Sequence, residues 1–197
     1  MGVSLDDVKR LKALTGVGLT DAKAALAESG GDFDKALEAM RKKGLTKADK
    51  RGEREAREGL VDAYVHSGRI GVLVEVNCET DFVARTDDFK NLVHDIAMHV
   101  AAGNPLYVSV DDVPQEERDR VSAEFTEKVK NEGKPENMVG QIVDGMLKKH
   151  FAEQALLEQP FIKNPDQSVG QLVQEHNAKL GENIVVRRFK RVELGVE

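Results

Sequence analysis

At Leu60 the spacing of apolar residues changes from helical to alternating, and this change constrains the fold more than any other feature of the chain. "LVDAYVHS" (60–67) and "RIGVLVEVN" (69–77) alternate apolar and polar positions, with Ser67-Gly68 between them as a turn. That pattern predicts an antiparallel hairpin. Val72, Val74 and Val76 share one strand face and are expected to meet the core. The last stretch, "ENIVVRRFKRVEL" (182–194), is rich in β-branched residues and is expected to complete a three-stranded antiparallel sheet. Helical spacing is expected over about 87–102, 115–131 and 136–158. Ser168 and Gln171 form a capping-box pattern before another helix. The predicted class is α+β, with a core over residues 59–197.

Ahead of the sheet, residues 1–44 read as a three-helix module. Ser4 and Asp7 suit an N-cap and its acidic N3 partner, and Leu5, Val8, Leu11 and Leu14 recur on one helical face. "TGVGLT" (15–20) interrupts the pattern. Ala22, Ala25 and Leu26 then face inward. Asp32 is placed to cap a third helix carrying Phe33, Leu37 and Met40, with Gly44 at its end. Residues 45–58 form an almost wholly charged connector. Arg51–Glu55, Glu53–Arg57 and Arg54–Glu58 are spaced four apart, as on a solvated helix.

Composition narrows the function classes. The net charge of −6, the absence of Trp and an aromatic content of 5% argue against a nucleic-acid surface, which needs positive charge and stacking platforms. No stretch is long and apolar enough to predict a membrane span or a signal peptide, and Asp6 stands where a myristoylation signal needs Ser or Thr. The expected location is cytoplasmic. Cys78 is the only cysteine, so no intrachain disulfide can form.

Motifs for covalent chemistry are missing. Gly133-Lys134 is followed by Pro135, so it is no P-loop. His94 and His99 are five apart and lie roughly 140° apart around a helix, which does not suit a zinc pair. "TDFVARTDD" lacks the glycine of a calcium loop. No metal or cofactor is expected. Cys78 could act as a nucleophile with a distant histidine, but it has the strand parity of Val74 and Val76 and suits a buried small hydrophobe.

One stretch resists this reading. "VNCETDFVAR" (76–85) leaves its strand, turns polar, and then places Phe82 beside Asp81. A phenylalanine there either folds back as a plug or is offered to a partner.

Three segments resemble the bacterial elongation factor Ts family: "LKALTGVGLTDAKAAL" (11–26), "EVNCETDFVAR" (75–85) and "KLGENIVVRR" (179–188). The resemblance covers essentially the whole chain, with Lys12 standing where the family usually has Arg. It implies a guanine-nucleotide exchange factor for elongation factor Tu, not an enzyme. It also implies a ubiquitin-associated-type fold for residues 1–44. The single core implies the short form, acting as a homodimer. Thr80, Asp81, Phe82 and Val83 would form the exchange loop, with Asp81 and Phe82 intruding near the GTPase's Mg²⁺ and phosphate site. Lys12, Leu19, Thr20 and Lys23 would dock the N-terminal module, and Leu180 and Gly181 would lie beside the Asp-Phe site. His66 and the helix around His94 to His99 would touch another domain of the partner. No membrane or direct nucleic-acid contact is implied. The alternative is a ubiquitin-associated-like adaptor without exchange activity.

Overall fold

The computed structural model describes residues 3–15, 19–40 and 54–196. Helices α1 (Leu5–Thr15) and α2 (Leu19–Glu28) are followed by α3 (33–40). The hairpin β1 (Glu58–His66) and β2 (Ile70–Cys78) leads into a single helical turn, α4 (Asp81–Ala84), and then α5 (Asp87–Gly103). Two long helices, α6 (Gln115–Asn131) and α7 (Glu136–Gln154), come next. A short ribbon of β3 (Pro160–Phe161) and β4 (Asn164–Ser168), α8 (Val169–Leu180) and β5 (Val185–Glu193) complete the chain. The sheet has the order β1-β2-β5, so the final strand joins β2 as its spacing predicts.

The chain divides into two compact units. The first comprises Met1–Asp62, Glu75–His94 and Gln171–Arg187. Within it, Val8, Leu11, Ala22, Ala25, Leu26, Ala36 and Met40 form a buried cluster, with Phe33 and Leu37 against it. Ser4 accepts from the backbone of Asp6, and Asp32 accepts from that of Lys35, so both expected caps are made. Leu5 departs from expectation, being 72% exposed. It lies six residues before Leu11, about 120° around the helix, which takes it off the buried face. The side chain of Leu14, the glycines of "TGVGLT", Gly44 and the connector up to residue 53 lie outside the described residues. Of the connector, 54–57 are not helical and β1 begins at Glu58, so the helical reading fails there. Arg54 pairs with Glu79 instead of Glu58. The reason is tertiary: the backbone carbonyl of Arg54 accepts from Asn183 Nδ2, which ties this stretch to the segment after α8.

The second unit comprises Ala63–Val74, Asp95–Gly170 and Arg188–Glu197. The turn of the hairpin lies here. Ser67 and Gly68 both have positive φ (51° and 68°), and Arg69 N–H donates to His66 O at 2.9 Å. Two left-handed residues give the turn a twist that matches its strands. Helices α6 and α7 pack through Val121, Phe151, Val129, Val139 and Val143, with Phe125 and Leu147 between. Helix α7 stops at Gln154, four residues earlier than expected. Ala155 becomes extended and bridges to Tyr107, and residues 156–158 form a 3₁₀ turn. The β3–β4 ribbon carries no periodic signal in the sequence, because β3 has only two residues and β4 is largely polar.

In β2 the expected alternation holds: Val72, Val74, Val76 and Cys78 are all buried. In the second unit, Val65, Leu73 and Val192, one on each strand of the sheet, are exposed. No helix among the described residues is long and apolar enough to cross a membrane.

Candidate functional site

The Asp-Phe segment is not an irregular loop. Thr80 is extended (φ −130°, ψ 152°) and accepts from Val83 N–H, which caps the one-turn helix α4. Thr86 ends that turn and starts the next helix. Its hydroxyl donates to Val83 O at 2.8 Å and accepts from Phe89 N–H at 3.2 Å. Two threonines six residues apart therefore fix the backbone from both ends. Ala84 is buried and Val83 half-buried, which seats the turn on its own unit. Phe82 points the other way and is 79% exposed. The plug reading does not fit: its ring fills no space among the described residues. Asp81 is half-buried and its carboxylate lies 2.8 Å from Arg85.

The same turn is fastened to the end of α8. Glu182 Oε2 accepts from Glu79 N–H (3.0 Å) and Thr80 N–H (3.1 Å), and Glu182 Oε1 accepts from the Thr80 hydroxyl at 2.5 Å. In return, Glu79 Oε1 accepts from Asn183 N–H at 2.7 Å. Leu180, half-buried, and Gly181, exposed with φ +79°, lie immediately before Glu182. The structure therefore brings Thr80–Val83 next to the Leu180-Gly181 turn.

Sequence reasoning missed the four side chains that make this connection: Arg54, Glu79, Glu182 and Asn183. They stand 25 to 129 residues apart in their pairings, and the one spacing pattern among them, Arg54–Glu58, points to a different partner. The only hint was that "NCET" and "GENI" each place a carboxylate just where a strand or helix ends.

The remaining candidates sit as follows. Lys12, Leu19, Thr20 and Lys23 are exposed on α1 and α2. Leu19 at 51% is not part of the buried cluster, so local core packing does not account for it. His66 belongs to the second unit and is exposed at the end of β1, with Nδ1 3.0 Å from Tyr64 Oη. His94 Nδ1 lies 2.9 Å from Asp62. His99 is 1% exposed. Its Nε2 pairs with Gln159 Oε1 at 2.9 Å and its Nδ1 accepts from Ile162 N–H at 3.3 Å. That arrangement requires the neutral ring with the proton on Nε2, and burial holds its pKa below the usual histidine value. The two histidines are therefore differently occupied and form no pair.

Cys78 is buried, and its thiol donates to Thr80 O at 3.2 Å. Burial, and secondly the Glu182 carboxylate, push it up to about 11. A thiol so poised stays protonated at neutral pH and is a poor nucleophile. Among the described residues no cluster of three His, Cys, Asp or Glu side chains could hold a metal ion.

An apolar ring held outward on a rigid backbone turn, with a carboxylate beside it, is the form of a macromolecular contact site. It is not a pocket for covalent chemistry. Residues 44–196 match the family Elongation factor TS. Elongation factor Ts of Moorella thermoacetica is 54% identical over 194 residues, covering 98% of this chain and 96% of that protein. That of Thermoanaerobacter sp. (strain X514) is 53% identical, covering 98% and 95%, and that of Herpetosiphon aurantiacus is 50% identical over 196 residues, covering 99% of each. The chain belongs to the elongation factor Ts family.

Proposed function

We propose that this protein is a guanine-nucleotide exchange factor that acts in translation by binding elongation factor Tu and speeding its release of GDP. The observation that carries the mechanism is the exposure of Phe82 on a turn whose backbone is fastened at both ends. In this reading Thr80 and Val83 hold the turn, Phe82 enters the GTPase near its Mg²⁺ and phosphate site, and Asp81 brings negative charge beside the phosphates. Linkage sets the energy required. A factor that weakens GDP binding must itself bind the nucleotide-free GTPase better by the same factor. A weakening of about a thousandfold corresponds to about 4 kcal/mol. Burying Phe82 supplies about 1.5–3 kcal/mol. The rest comes from the disturbed phosphate site and from docking elsewhere.

Lys12, Leu19, Thr20 and Lys23 supply that docking on the N-terminal helices, where the exposure of Leu19 supports the reading. Leu180 and Gly181 flank the inserted turn, and His66 meets a second domain of the partner. Residues 1–44 act as a ubiquitin-associated-like module, 45–58 as its connector and 59–197 as the core. The factor works in the cytoplasm as a homodimer. The exposed Val65, Leu73 and Val192 on one sheet give a second copy an apolar face to cover. Sedimentation should then give about twice 21.7 kDa. Release of fluorescent GDP from elongation factor Tu tests the function. Acceleration at substoichiometric factor is expected, and release at the intrinsic rate would refute it.

A further inference from the structure

We propose that Glu182 is a positioning residue for exchange: its carboxylate fixes the direction in which Asp81 and Phe82 leave the core. This rests on the exchange reading above and goes beyond it, since Glu182 itself touches no partner in that reading.

The argument is geometric. A turn that must push a ring into another protein pays for disorder twice, once in encounter and once in ordering its own backbone. Here the ordering is done in advance. One carboxylate takes three hydrogen bonds, from Glu79 N–H, Thr80 N–H and the Thr80 hydroxyl. Two of these are the backbone donors directly before α4, and the third comes from the residue that caps it. Any movement that lifts Glu79 and Thr80 away from Glu182 would break all three. Bonds from backbone N–H groups to an ionised carboxylate are stronger than neutral ones.

Glu182 is itself held. Gly181 at φ +79° turns the chain out of α8, a conformation that a side chain would strain. On the other side, Asn183 N–H donates to Glu79, Asn183 Nδ2 donates to Arg54 O, and Ile184 N–H donates to Asn177 Oδ1 of α8. Asn183 and Ile184 are buried. The carboxylate is thus a fixed point between a buried strand entry and a helix end. The turn it carries leaves Phe82 exposed. A bond set of this kind adds little to the apolar core, because the side chain it orients is outside.

The test is GDP release from elongation factor Tu by Glu182→Ala, Glu182→Gln, Phe82→Ala and the double variant Glu182→Ala/Phe82→Ala, each over a range of factor concentrations. The docking residues on α1 and α2 are untouched. Loss of positioning should therefore lower the maximal release rate by about ten- to a hundredfold and leave the half-saturating concentration within about threefold. Glu182→Gln keeps one acceptor oxygen and should fall between Glu182→Ala and the parent. It also keeps the test alive if Glu182→Ala fails to fold. The decisive arm is the double variant. If Glu182 acts through Phe82, removing it costs little once Phe82 is gone. A Glu182 effect that is undiminished in the Phe82→Ala background overturns the proposal, as does a normal maximal rate in both Glu182 variants. If Phe82→Ala alone releases GDP as fast as the parent, the reading of Phe82 as the intruding group has failed, whatever Glu182 does; if the parent itself leaves release at the intrinsic rate, the exchange reading has failed.

Discussion

The α6–α7 hairpin and the turn at 79–84 are held together in opposite ways. Helices α6 and α7 turn Val121, Phe151, Val129 and Val143 toward each other and leave charge outside. Their N-caps are Pro114 and Pro135, with no side-chain hydrogen bond at either. Their ion pairs, such as Arg120 with Glu117 and Glu124, are on the surface. At 79–84 the polar groups are inside the arrangement, fixing backbone, and the one large apolar ring is outside. Apolar burial makes the first region a source of stability. Polar fastening makes the second a rigid presenter of a group whose burial must come from another molecule. The same residue type, phenylalanine, should therefore behave differently in the two places.

The largest effect should come from Phe151→Ala. It removes a buried ring from between α6 and α7 and should cost about 3–5 kcal/mol. Melting should drop by about 10 °C, while exchange per folded molecule stays near the parent's. Early melting together with lost exchange in the folded fraction would blur the contrast.

The second effect concerns pH. His99 is neutral in its buried site, whereas in the unfolded chain it takes up a proton near pH 6.5. Between its lowered folded pKa and 6.5 the unfolded state binds more protons. The contribution is therefore complete above about 6.5 and is lost as pH falls below it. Urea midpoints at pH 7.5 and 5.5 should differ more for the parent than for His99→Gln. Equal differences would show that His99 is not the group responsible.

Cys78 gives a smaller effect, on reactivity alone. With its thiol pushed up to about 11, it should react with iodoacetamide at pH 8 far more slowly than in urea, and exchange should persist during the incubation. Smallest of all should be Arg120→Ala. Glu124 is exposed with it and Glu117 is half-buried at the surface, so solvent screens both pairs. No change in melting beyond experimental scatter is expected, in contrast to Phe151 on the facing helix.

Why the sequence disclosed one region and not the other follows from the same contrast. Regions held by burial write themselves as period. The hairpin, β5, α5 and the caps at Ser4 and Asp32 are all legible, because each repeats an apolar face or places an acceptor before one. The end of α7 and the state of residues 54–57 are not. Each is decided by a partner distant in sequence, the Tyr107 backbone for Ala155 and the Asn183 side chain for the Arg54 carbonyl. The candidate site divides likewise. Phe82 is conspicuous in the sequence because it breaks the pattern. Glu182 is inconspicuous, because a single carboxylate after a glycine looks like any surface residue until Thr80 is brought to it.

The central claim is that Phe82 is presented, not stored. Phe82→Ala tests it by two readings on one sample, thermal melting and GDP release from elongation factor Tu. The account predicts melting within about 2 °C of the parent, since an exposed ring leaves no cavity, and release slowed by about ten- to a hundredfold, the equivalent of its burial in the partner. A variant that melts some 10 °C early, yet releases GDP normally per folded molecule, would contradict it and make Phe82 a structural residue.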